Sequence, residues 1–166
     1  MRRGSTPYVK YVVIDTYVWR SAQEGDLASL HLLTTIGLKC EYKVVIDKDN
    51  EILDEYLKAV KGNYLWNRIY SELVRRKKFI KRDKAPPDVV KKYVLSYIGL
   101  DYFDPSDIKF LQVAINVPDP IIISKDSDFL ELRKLIHKAI ESSSPLPLMI
   151  ERLRKILTPE EAIEKL

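Results

Sequence analysis

Residues 121–130, Ile-Ile-Ile-Ser-Lys-Asp-Ser-Asp-Phe-Leu, place three consecutive isoleucines directly after a Pro-Asp-Pro break. β-Branched side chains fit a pleated surface that is covered on both faces, so this run predicts a short strand buried in a parallel sheet. Two aspartates, Asp126 and Asp128, follow at once. In α/β proteins ligands collect at the carboxyl ends of parallel strands, which puts both acids where a cation or a phosphate could be held. Taken alone, the segment has an equally plain structural reading: a solvated loop whose Asp caps the helix that follows from Phe129.

The same pattern opens the chain. Residues 8–15, Tyr-Val-Lys-Tyr-Val-Val-Ile-Asp, read as a first strand with Asp15 at its end. A lone carboxylate beside such an apolar run costs several kcal/mol to bury unless a partner or a metal compensates it. A helix is expected at about 18–36 and a second strand at 41–46, after which Asp47, Asp49 and Asn50 supply turn and cap chemistry for a helix at 51–60. Further helices are expected at 64–76 and at 86–97, the latter ended by Gly99. Asp104-Pro105 starts another helix, which stops before Pro118. Beyond the isoleucine strand come a helix at 129–140, a loop at 142–145, an apolar run at 146–150 read as a last strand, and a terminal helix opened by the capping box Thr158-Pro-Glu-Glu161. Alternating strands and helices predict a single α/β domain around a parallel sheet of four or five strands with right-handed crossovers.

Composition narrows the chemistry. A chain of 166 residues that is 46% hydrophobic can bury one sizeable core, and no apolar stretch reaches the length of a membrane span. The basic start, Met-Arg-Arg-Gly-Ser-Thr-Pro, lacks the apolar segment of a signal peptide. Cys40 is the single cysteine, so neither an intrachain disulfide nor a thiolate zinc cluster can form, which suits a reducing cytoplasm. The five glycines form no dinucleotide-binding or phosphate-loop motif. A formal charge of +4 mildly favours polyanionic partners, and the densest basic stretch is 75–84. There Arg75, Arg76, Lys77, Lys78, Lys81 and Arg82 read either as a patch that tracks nucleic-acid phosphates or as a helix end followed by a solvated loop, with Phe79-Ile80 able to form a short edge strand. His31 and His137 fall in helical segments with no other ligand nearby, which favours packing or exposed roles.

Helical spacing then adds two more acids. Ile52, Glu55, Tyr56 and Ala59 share one face, as do Asp107, Phe110, Leu111 and Ala114, so Glu55 and Asp107 each interrupt an apolar stripe. Asp54 lies beside Glu55 but off that face. A crossover helix runs antiparallel to its strands, so its first turns lie at the edge where the strands end. Asp15, Glu55, Asp107, Asp126 and Asp128 are therefore expected in one cleft, where mutual repulsion favours a divalent cation and all-oxygen ligation favours Mg²⁺ or Mn²⁺.

Ile14-Asp15-Thr16, Glu55 within Asp-Glu-Tyr, the segment from Asp104 through Asp107 to Ala114, and Ser124-Lys-Asp126-Ser-Asp128-Phe-Leu130 occur in the order and spacing that resemble a PIN-domain protein. The likeness spans nearly the whole chain, and the closing Ile-Leu-Thr-Pro-Glu-Glu is similar to a prokaryotic branch of toxin components. It implies a three-layer α/β/α sandwich and metal-dependent cleavage of RNA or single-stranded DNA. An antitoxin protein and a second copy of the chain are the partners it implies. By this resemblance Asp15, Asp107 and Asp126 hold the metal, Glu55 is a further catalytic acid, Asp128 assists, and Thr16 and Ser124 support the acids by hydrogen bonding. The chain departs from the family at Tyr17, where the usual residue is an Asn that orients the first aspartate. Two rivals stand beside this. One is a nucleic-acid-binding or partner-regulating module of the same fold without turnover. The other is a phosphatase of the haloacid dehalogenase type, which needs a second acid where this chain has Tyr17 and leaves Glu55 and Asp107 without a role.

Overall fold

The computed structural model describes residues 8–142 and 145–166. The basic segment 1–7 and residues 143–144 of the expected 142–145 loop lie outside the described residues. β1 (Lys10–Ile14) is the central strand and pairs in parallel on one side with β2 (Tyr42–Asp47) and on the other with β4 (Ile121–Ile123). Beyond β2 lies β3 (Phe79–Arg82), and beyond β4 lies β5 (Ile156–Leu157), which gives an all-parallel sheet in the order β3-β2-β1-β4-β5. Val12, Val13 and Ile14 on β1 and Ile122 and Ile123 on β4 are fully buried, as β-branched runs covered on both faces should be.

The connections run outward from β1 to β2 and β3, then return to the other side of β1 for β4 and β5. Right-handed crossovers put the helices of the first two connections on one face and those of the last two on the other. Contacts agree with that division. α1 (Thr16–Gln23), α2 (Leu27–Leu38), α3 (Glu51–Val60) and α4 (Tyr64–Arg75) pack on one another. α5 (Pro87–Val90) packs on α6 (Ile108–Ala114), and the π-helical turn Lys91–Ser96 packs on α8 (Leu148–Arg152). α7 (Ser127–Glu141) lies against β5, and α9 (Pro159–Lys165) against α2 and β5. The arrangement is an α/β fold consistent with three layers. Strand order reverses between β1 and β4, which opens a crevice at their carboxyl ends.

Three expectations about the elements need correction. The helix expected at 18–36 is two helices, because Gly25 takes a φ of +98° that an L side chain rarely adopts and so ends the first. The run at 146–150 is no strand: Pro147 starts α8 there, and only Ile150 of that helix is fully buried. The last strand is instead Ile156–Leu157, which is held to β4 by hydrogen bonds from Ile122 N–H to the Lys155 carbonyl (2.9 Å) and from Ser124 N–H to the Leu157 carbonyl (3.0 Å). The helix expected at 86–97 is α-helical only over its first turn before widening into the π turn. By contrast Phe79-Ile80 does form an edge strand, and Thr158 and Glu161 close the expected capping box.

Ile123→Ala should destabilise the chain by about 2–5 kcal/mol, since it empties a fully buried site in a three-residue strand. Leu148→Ala, at a position 61% exposed, should stay within about 0.5 kcal/mol. Urea unfolding checks both, and equal losses would contradict the placement of β4 in the core and of α8 at the surface.

Candidate functional site

Asp15 follows β1 directly and caps α1. Its Oδ1 accepts from Tyr17 N–H (3.3 Å) and its Oδ2 from the Ser124 hydroxyl (2.8 Å). The residue is only 4% exposed, and burial pushes its carboxyl pKa up, aided by the charges of Asp126 and Glu55 and opposed by those two hydrogen bonds. Ser124, fully buried at the end of β4, also accepts from Asp126 N–H (3.0 Å). A continuous hydrogen-bonded path thus runs from Asp126 through Ser124 to Asp15, across the point where strand order reverses. Asp126 in turn caps α7, with its Oδ1 accepting from Asp128 N–H (2.8 Å). The capping role and the strand-end role fall to the same side chain.

Asp107 arrives from the opposite side. Asp104 accepts from the Ser106 N–H and hydroxyl, both at 2.9 Å, and nucleates the 3₁₀ turn Pro105–Asp107 that leads into α6. Among the described residues no hydrogen bond supports the Asp107 carboxylate. Burial first, and then the charges of Asp15, Asp104 and Asp126, raise its pKa to about 7, while Lys109 works against the rise. Glu55, on the inward face of α3, accepts from the Thr16 hydroxyl at Oε1 (2.6 Å) and forms an ion pair with Lys109 at Oε2. Asp15, Glu55, Asp107 and Asp126 together wall an open pocket of about 340 Å³, with Tyr17 and Arg20 on its rim.

Other expected residues take different places. Asp128 does not wall the pocket; its Oδ2 accepts from Asp104 N–H (2.9 Å) and so pins the loop that presents Asp107. Tyr17 orients Asp15 through its backbone N–H, a bond that any side chain at that position allows, and Ser124 supplies the second restraint. Asp54 is exposed, which leaves Glu55 as the inward acid, and both histidines are exposed. The basic segment does not gather at the site. Arg75 and Arg76 pair with Glu72 at the amino edge of the sheet, Lys77 sits in the turn before β3, and buried Lys78 donates to the Lys39 and Tyr42 carbonyls. Lys81 and Arg82 lie on β3, two strands and therefore about 10 Å from β1. β3 divides the segment, in line with the edge strand that Phe79-Ile80 could form.

Lys109 was not among the expected site residues. It is 5% exposed, and besides Glu55 it donates to the Ser106 carbonyl. Its signal was present in the sequence. Lys109 stands within the mostly apolar run Ile108–Ala114, where a buried ammonium needs an acid as partner.

Asp47 provides a control within the same chain. It ends β2 as Asp15 ends β1, yet it is fully buried with its oxygens taken by Glu51 N–H (3.0 Å) and Ile52 N–H (2.8 Å) and Lys84 nearby (3.9 Å). Such a carboxylate is structural. Asp107, with no donor among the described residues and its pKa raised first by burial and then by its neighbours, has unused acceptor capacity.

No protein-family model, curated protein or solved structure matches the chain in comparisons with known proteins. Among the described residues, no three His, Cys, Asp or Glu side chains form a ready-made ligand group for a metal ion. The donor chemistry still suits a hard cation, because Mg²⁺ is commonly held by one or two carboxylates, with water and substrate phosphate completing its shell.

The raised pKa of Asp107 makes a testable statement about stability. Between about pH 4 and 7 the folded, metal-free chain keeps a proton on Asp107 that the unfolded chain releases, so this group's contribution falls as pH rises through that window. Relative to the wild type in EDTA, Asp107→Asn should therefore gain stability from pH 5 to pH 8. Urea midpoints at the two pH values measure this, and a constant difference would show that Asp107 titrates normally.

Proposed function

We propose that the chain is a metal-dependent nuclease of the PIN-domain type, hydrolysing phosphodiester bonds in RNA or single-stranded DNA. The observation that carries this reading is the gathering of Asp15, Glu55, Asp107 and Asp126, far apart in sequence, around one pocket where the strand order reverses. Carboxylates crowded into one pocket are relieved by a divalent cation, and oxygen donors alone favour Mg²⁺ or Mn²⁺ over zinc. Asp15, Asp107 and Asp126 are the residues that would hold it. When bound, such an ion supplies a water of lowered pKa and compensates charge on phosphate oxygens.

The chain's own groups set the geometry. Ser124 and Tyr17 N–H fix the Asp15 carboxylate, and Asp128 secures the loop that carries Asp107. Thr16 holds Glu55 against the pocket wall, while exposed Arg20 on the rim is available to a backbone phosphate. In hydrolysis a water attacks phosphorus as the bond to the leaving alcohol oxygen breaks. A pocket open on one side and walled by acids admits a strand and resists anions that bring no cation. The toxin half of a toxin–antitoxin pair, cytoplasmic and acting as a homodimer, is the setting this reading suggests.

The alternative of a binding module without turnover is favoured by one observation, the Glu55–Lys109 pair, which neutralises one acid internally. The two readings separate on single-stranded RNA. Under the nuclease reading, Mn²⁺ stimulates cleavage by the wild type, and Asp107→Asn keeps its circular dichroism while losing at least about a hundredfold in rate. Salt-sensitive binding by the wild type with no metal-stimulated cleavage would select the module instead.

A further inference from the structure

Lys109 gives the acid cluster a permanent cation. Its ammonium forms an ion pair with Glu55 Oε2, donates to the Ser106 carbonyl, and lies 5.1 Å from the centre of the Phe110 ring. The other Glu55 oxygen already accepts from Thr16 (2.6 Å). Each Glu55 oxygen is therefore engaged by a protein donor, and a second divalent ion at Glu55 would have to displace a buried ammonium from its ion pair. Among the described residues Asp15, Asp107 and Asp126 form no ion pair: Asp15 and Asp126 accept from a hydroxyl and backbone N–H groups, and Asp107 feels Lys109 only through its charge.

We infer that Lys109 occupies the place a second metal would take, so that the site admits one divalent ion, at Asp15, Asp107 and Asp126, and never a pair. This rests on the metal-dependent reading above and deepens it. Lys109 is a positioning residue: it holds Glu55 on the Thr16 side of the pocket and supplies fixed positive charge there. Two-ion phosphodiesterases clamp both the attacking and the leaving oxygen with metals. Here the second positive charge is covalently attached to α6, so it cannot be removed by chelation or exchanged for another ion.

The test counts bound ions without reference to activity. Isothermal titration of the wild type with Mn²⁺, together with electron paramagnetic resonance of the loaded protein, should give one ion per chain and no spin-coupled pair. Lys109→Met should take up a second Mn²⁺ and show the coupled-pair spectrum, whereas Lys109→Arg should keep a single ion. Two ions in the wild type would overturn the inference while leaving the metal-dependent reading intact, and this count needs no variant to fold. A Lys109→Met variant that folds and still binds one ion would overturn it as well. No ion bound by the wild type would remove both.

Discussion

The Ser124 hydroxyl donating to Asp15 at 2.8 Å holds together the two strands on which everything else depends. Asp15 ends the central strand with almost no access to water, and an unsupported carboxylate there would cost several kcal/mol. Ser124 reaches it from β4, across the reversal in strand order, while also receiving Asp126 N–H. One hydroxyl thereby fixes the relative positions of two acids that are 111 residues apart in sequence. The support is only partial, and burial still raises the Asp15 pKa. What distinguishes Asp15 from a structural carboxylate such as Asp47 is its place on the pocket wall, since the oxygens of Asp47 are taken by Glu51 and Ile52 N–H.

Capping and chemistry compete for the same atoms here without excluding one another. Asp15 and Asp126 each give an oxygen to the first turn of the helix that follows, which fixes their rotamers and points them along the carboxyl edge of the sheet. Helix N-termini also carry partial positive charge, which offsets some of the repulsion between the acids. The remaining repulsion is met by Lys109 at Glu55 and falls most heavily on Asp107, which has no donor of its own. Ion pairing is thus distributed unevenly across the pocket: Glu55 is paired with Lys109 inside the protein, and Asp107 on the other flank is not.

Much of this was legible in the sequence because the signals were local and mutually consistent. Apolar β-branched runs with an Asp close behind located β1 and β4; of the two acids that helical spacing turned inward, Glu55 lines the pocket from α3 and Asp107 from the 3₁₀ turn before α6. The rest required three-dimensional information. Nothing local distinguishes the apolar run at 146–150 from a strand until the pairing of Ile156–Leu157 with β4 shows which segment fills that edge. The break at Gly25 was readable from a glycine followed by Asp26, but Leu27, Leu30 and Leu33 beyond it keep helical spacing and suggested one helix. The basic run at 75–84 left a patch, a helix end and an edge strand open, and only the pairing of Phe79–Arg82 with β2 decides for the strand. Asp128 stands two residues from Asp126, yet the helix start turns it toward the Asp104 loop and away from the pocket.

The account's central claim is that Asp15, Asp107 and Asp126 converge on a hard cation. Anomalous diffraction at the manganese edge, from a crystal of the wild-type chain soaked in Mn²⁺, measures this most directly. The account expects a peak within coordination distance of oxygens from those three residues, beside the Glu55–Lys109 pair. Density at another surface, or no bound manganese with the acids turned away from one another, would contradict it.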